Sequence, residues 1–138
     1  MTGKEYLEQL IEKDNAIRRK RQRLETLRSV ATNLSLEYKD EAVQRTRELH
    51  PLEKIMAKII DLEREIEDDL NSLVDLKAEV WELLDRLTDE RYKQLLWLKY
   101  AERKTWKEIG TALEYTDRYS KMLQPRALWS FEQVFQKK

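Results

Sequence analysis

Asp117, Arg118, Tyr119, Lys121, Met122 and Gln124 follow Thr116 at spacings that set them on the outward side of a helix. They include the types that read a nucleic-acid duplex. Arginine and lysine donate to guanine edges, glutamine bonds adenine, and Tyr119 suits a phosphate or a thymine methyl. Lys104, Thr105 and Lys107 stand one short helix earlier, where a helix N-terminus can hold a phosphate. Nothing else in the chain points to chemistry. Cysteine is absent and His50 is the one histidine, which excludes a thiolate site, a disulfide framework and a histidine metal cluster. The acids Asp61, Glu63, Glu65, Glu67, Asp68 and Asp69 form a contiguous helical run without the loop geometry of a cation site. The expectation is no enzyme, no metal and no cofactor.

The elements that must position this set are short and well punctuated. Thr105 is an N-cap with Glu108 three residues on, a capping box, and Trp106, Ile109 and Leu113 share one face. Thr116 is a second N-cap, after which Ser120, Leu123, Ala127 and Leu128 point to the core. The spacing predicts helices over Trp106–Leu113 and after Thr116, the layout of a helix-turn-helix whose second helix lies in the major groove. Thr88 caps an earlier helix that starts with Asp89 and Glu90 and carries Tyr92, Leu95, Leu96, Leu98 and Tyr100. Ala101–Lys104 is a polar break. Pro125 removes an N–H and clashes with the carbonyl of Lys121, so an end or kink is expected at Gln124. The reading helix would then be about two turns long, with Arg126–Phe135 as a separate helix. The four tryptophans, Trp81, Trp97, Trp106 and Trp129, are expected in the core.

A chain with 2 Gly, 2 Pro and 39% charged residues has too few turn formers for a β-rich fold, so an all-α fold is expected. No apolar run reaches the ~18 residues of a membrane span. The polar N-terminus does not read as a signal peptide, and a cytoplasmic protein follows. The net charge of zero conceals a division. Residues 52–87 carry 5 cations and 11 anions, whereas residues 88–138 carry 11 and 7, the sign that attraction to phosphate requires.

Leu52, Ile55, Ile59, Leu62, Ile66, Leu73, Leu76, Val80, Leu83 and Leu87 recur at alternating steps of three and four, broken only at Asp69. Pro51 fits the first turn of that helix. A second, less regular stripe includes Tyr6, Leu7, Leu10, Ile11, Ile17, Leu24, Leu27, Val30, Ala31 and Leu34, with gaps at Lys13, Asp14, Lys20 and Arg21. Folding 4–34 back on 52–87 through a polar connector, 35–51, gives a long antiparallel helical hairpin or coiled coil. Pairing of 52–87 with a second copy remains equally open, and with it a homo-oligomer. The division expected is therefore an arm over 1–87 and a helix-turn-helix head over 88–138. The run Arg18-Arg19-Lys20-Arg21 with Arg23 has two readings: a phosphate contact, or a solvated face paired with the acids of 61–69.

Leu98-Lys99-Tyr100, Thr105-Trp106-Lys107-Glu108-Ile109-Gly110, Leu113-Glu114-Tyr115-Thr116 and Ala127-Leu128 together resemble sigma-70 region 4. The likeness is to small proteins of phages and prophages of Gram-positive bacteria, the late transcription regulators of the ArpU and RinA type among them. The segment Tyr38–Gln44, followed by a heptad stretch, is similar to uncharacterised members of that group. The resemblance implies a reading helix that begins just after Thr116, with Asp117, Arg118, Lys121 and Met122 at bases or phosphates. Glu114 stands where that pattern has glycine; a left-handed backbone there costs a non-glycine residue about 1 kcal/mol. Two functions follow. One is a DNA-binding transcription regulator whose partners are double-stranded DNA and, through the arm, RNA polymerase or another protein. The other is a protein-binding adaptor with a sigma-like head and little DNA contact.

Overall fold

A computed structural model describes residues 1–40 and 45–137, and every regular element among them is helical. Five helices follow one another: α1 (Gly3–Asp40), α2 (Arg45–Leu84), α3 (Glu90–Leu96), α4 (Trp106–Leu113) and α5 (Asp117–Gln136). The all-α expectation holds. The expected connector 35–51 is helical on both sides, while its residues 41–44, with part of the Tyr38–Gln44 segment, lie outside the described residues. Contacts divide the chain into two compact units: Asn15–Asn71, and Met1–Asp14 with Ser72–Lys138.

In the unit Asn15–Asn71, α1 buries Ile17, Leu24 and Ala31, and α2 buries Ile59, Leu62 and Ile66. Each large aliphatic side chain taken from water contributes about 1.5–3 kcal/mol. Lys20 meets Asp69 at 2.7 Å and Arg28 meets Glu63 at 3.5 Å, so the two helices run antiparallel within one chain. Lys20 occupies a gap in the α1 stripe and Asp69 the gap in the α2 stripe. Asp69 raises the Lys20 pKa by accepting its hydrogen bond.

In the other unit, the start of α1 supplies Tyr6, Leu7 and Leu10, and the end of α2 supplies Val80, Leu83 and Leu84. Leu95 and Leu96 of α3, Ile109 of α4, and Leu123, Ala127 and Phe131 of α5 complete this core. The Tyr6 ring lies 5.1 Å from Phe135 and 6.4 Å from Phe131. Burial raises the Tyr6 pKa, and a hydrogen bond with Glu79 adds to the shift. Gly3 permits this packing: a Cβ there would stand 2.9 Å from Phe131 Cδ2. Its N–H donates to the Glu132 carboxylate.

Four expectations need correction. The N-cap of α3 is Asp89, not Thr88; its carboxylate accepts from the Arg91 N–H at 2.9 Å. Pro51 lies inside α2 rather than in its first turn, because Arg45–His50 contains no residue that stops a helix. Pro125 neither ends α5 nor splits it: one helix runs from Asp117 to Gln136. Pro125 is on the exposed side, where water can solvate the carbonyl left without a donor. Finally, the tryptophans line the rim of the core. Trp81 is 42% and Trp129 67% exposed, and Trp97 and Trp106 are half-buried. Leucines, Ile109 and Phe131 already fill the interior. The Trp81 and Trp97 rings meet edge to face at 4.8 Å, and Lys99 lies 4.6 Å above Trp106.

Candidate nucleic-acid interface

The site is built from two capped helices and the three residues between them. The Thr105 hydroxyl accepts from the Glu108 N–H at 3.2 Å, and the Glu108 carboxylate accepts from the Thr105 N–H at 3.0 Å. The capping box read from the sequence is present. These bonds to Thr105 hold the Glu108 carboxyl below its usual pKa. Glu114 ends α4 in the left-handed conformation, φ 61° and ψ 40°. The Tyr115 N–H returns to the Gly110 carbonyl at 2.8 Å. Thr116 then caps α5, accepting from the Tyr119 N–H at 3.1 Å.

Gly110 sets how closely α4 approaches the start of α5. A Cβ at that position would lie 2.7 Å from the Tyr115 carbonyl oxygen and 3.3 Å from Asp117 Oδ1. Ile109 is fully buried, whereas Trp106 and Leu113 are half-buried. The preceding segment ends in a π-turn, Trp97–Ala101, closed by the Glu102 N–H on the Trp97 carbonyl at 3.1 Å. Arg103 then takes a left-handed φ of 58°, and its guanidinium reaches Asp14 at 2.9 Å. The break at Ala101–Lys104 is thus a left-handed turn with its own ion pair, which residue types alone did not reveal.

Lys104, Thr105 and Lys107 are exposed at the start of α4, and Thr116, Asp117, Arg118, Lys121 and Met122 are exposed at the start of α5. Two of the expected outward residues are tied down instead. The half-buried Gln124 amide donates to the Tyr100 hydroxyl at 3.1 Å, so it faces its own core. Burial raises the Tyr100 pKa, which the Gln124 bond partly opposes. Tyr119 packs its ring 5.0 Å from Tyr115, and its hydroxyl accepts from Arg91 at 3.3 Å. Arg91 is itself held by Asp89, whose carboxyl it keeps below the usual range.

Because α5 continues through Pro125, its exposed face is longer than expected. Arg118, Lys121, Met122, Pro125, Arg126 and Trp129 are spaced by the steps of a single helix face and all are exposed. Arg126 and Trp129 were not in the expected reading set, since a break at Gln124 assigned them to another helix. Their signal was the unbroken three-and-four spacing across the proline. Beside Trp129 lies a cleft of about 380 Å³ bordered by Arg86, Leu87, Tyr92 and Val134. Among the described residues, no group of three His, Asp or Glu side chains is arranged to hold a metal. No family model, curated protein or solved structure matches the chain.

Proposed function

We propose that the chain is a DNA-binding transcription regulator of the phage and prophage type. Its C-terminal residues 88–138 form a sigma-70 region 4-like helix-turn-helix head, with α5 in the major groove. The helical arm, 1–87, serves assembly or contact with RNA polymerase. The observation that carries this reading is the pair α4 and α5. Two capped helices are joined by three residues across Gly110, and α5 presents Arg118 and Lys121 in its first turns. Lys104 and Lys107 add positive charge at the N-terminus of α4, where backbone N–H groups favour phosphate. A cytoplasmic location fits this target, and none of the described helices is long and apolar enough to cross a membrane.

Binding to random duplex DNA over a salt series tests the reading. A regulator binds at low salt and weakens steeply as salt rises. Arg118→Ala and Lys121→Ala each lower affinity, and each phosphate interaction removed reduces the salt slope by about one. No binding at low salt overturns the proposal.

One observation favours the adaptor as a second reading. Met122, Pro125 and Trp129 form an apolar stripe along the exposed face of α5, and Trp129 is the most exposed tryptophan. Aromatic anchors of this kind concentrate binding energy at protein interfaces. An adaptor that grips protein through this stripe would bind DNA weakly and be insensitive to Arg118→Ala.

A further inference from the structure

The unit Asn15–Asn71 carries its charge on separate helices. Residues 15–37 hold six cations and two anions, whereas residues 51–71 hold three and seven. Among the described residues, Lys20 pairs with Asp69 and Glu65, and Arg28 with Glu63. Arg19, Arg23 and Glu67 make no ion pair among the described residues, and the one Glu63 pair is an exposed contact at 3.5 Å.

Arg19, Arg23 and Glu67, together with the singly paired Glu63, fall on two rows with matching spacing. On α1, Arg19, Arg23, Thr26 and Val30 follow steps of four, three and four, one exposed helix face. On α2, Met56, Ile60, Glu63 and Glu67 follow the same steps and are likewise exposed. Set antiparallel, the rows meet at every step: Arg19 on Glu67, Arg23 on Glu63, Thr26 on Ile60, Val30 on Met56. Cations face anions at one end, and Val30 faces Met56 at the other.

The two rows cannot meet within one molecule. Arg28 and Glu63 join on one flank of the buried seam, beside Arg21 and Ile66. Arg23 borders the other flank, with Leu27, Lys58 and Asp61. The α1 row therefore faces away from the α2 row of its own chain. We infer that a second copy of this chain covers each row, the α1 row of one copy lying antiparallel on the α2 row of the next. Because the two faces differ, the contact is head to tail and builds a ring or an open chain of copies. Exposed ion pairs are individually weak and are screened by salt, so the association is weak and sensitive to salt. It gives the assembly role proposed for the arm a partner and a register, and does not depend on DNA binding.

Sedimentation velocity of the full chain without DNA tests it. The expected result is mass that grows with concentration at ~50 mM salt, and association weakened at least ~tenfold at ~500 mM. Arg19→Glu with Arg23→Glu yields a monomer, as does Glu63→Lys with Glu67→Lys. Mixing the two variants, or combining all four changes in one chain, restores assembly. This rescue separates the proposed contact from a folding defect. A wild-type monomer under every condition overturns the inference. So does assembly that survives either charge reversal, assembly that salt strengthens, or a mixture that stays monomeric. Because the assay holds no DNA, its failure is distinct from failure of the DNA reading.

Discussion

Lys20 donates to Asp69 at 2.7 Å, and these two residues occupy the interruptions in the apolar stripes of α1 and α2. Each side chain is 32% exposed, so water still reaches the pair. Replacing both by leucine completes the seam, and the melting temperature is expected to rise, as for other ion pairs exchanged for packed apolar residues. Asp69→Leu alone is expected to lower the melting temperature only slightly, since the lysine head can move to water along its stem. The Lys20 pKa is raised on folding. Its contribution is therefore present below the usual lysine value of 10.5 and is lost as pH rises through the folded value. Thermal melts near and above that pH should fall in the wild type more than in the double leucine variant.

Glu114 and Arg103 share a left-handed backbone, at φ 61° and 58°, yet their substitutions should differ. Glu114 is exposed at the end of α4, and its side chain accounts for no bond that glycine would lose. Glu114→Gly is expected to stabilise the chain by up to about 1 kcal/mol. Arg103→Gly relieves similar strain but breaks the partly buried pair with Asp14 at 2.9 Å. Its melting temperature should stay level or fall. Equal gains from both changes would show that the Arg103 ion pair contributes nothing.

Gly110→Ala places a methyl 2.7 Å from the Tyr115 carbonyl, a backbone atom that moves only if the turn moves. Crowding a packed position in this way costs about 1–3 kcal/mol. Chemical denaturation should show that loss. In the DNA assay the variant should bind more weakly at a temperature where it is still folded, because the start of α5 has shifted. An unchanged denaturation midpoint would mean that the α4–α5 turn is not held as tightly as the structure shows.

The parts of this fold that were legible in the sequence are those fixed by local rules. Most of the seam of α2 is legible, because a repeat of three and four admits one face, but Leu84, fully buried, stands outside that repeat. The caps at Thr105 and Thr116 were read because each bond spans three residues. The path of α5 was not. Pro125 sits where its lost bond faces water, and no local rule says which side of a helix that is until Leu123, Ala127 and Phe131 are seen to be buried together. Phe131 was missed for the same reason. The inward turn of Gln124 depends on Tyr100, twenty-four residues away, and the rim positions of the tryptophans depend on what else fills the core. In the candidate interface, the residue types were therefore legible, but the extent of the face was not.

Pro125→Ala tests the continuous helix directly. Alanine restores an N–H that can reach the Lys121 carbonyl, and it relieves the ring's contact with that turn. Because the site is exposed and α5 already runs through it, stability should rise by about 1–3 kcal/mol with little change in far-UV circular dichroism. A large gain in helicity would instead mean that the wild-type helix breaks at Gln124.

Acid should loosen the capped head, and Glu108 identifies one cause. Its carboxyl is held below 4.5 by the N–H and hydroxyl of Thr105. A carboxylate with a depressed folded pKa contributes stability that is present above its unfolded value and is lost as pH falls through the folded one. Asp89, held down by Arg91, acts in the same direction. Wild-type melting temperature should therefore drop below about pH 4.5. Glu108→Gln keeps an acceptor for the Thr105 N–H but removes the titrating group, so its acid decline should be shallower. Thr105→Ala removes the hydroxyl that accepts from the Glu108 N–H but keeps the backbone N–H that donates to the Glu108 carboxylate, so it should cost about 1 kcal/mol at neutral pH and flatten the acid decline only in part. If Glu108→Gln and the wild type lose stability in parallel as pH falls, the capping box is not among the groups that acid disrupts.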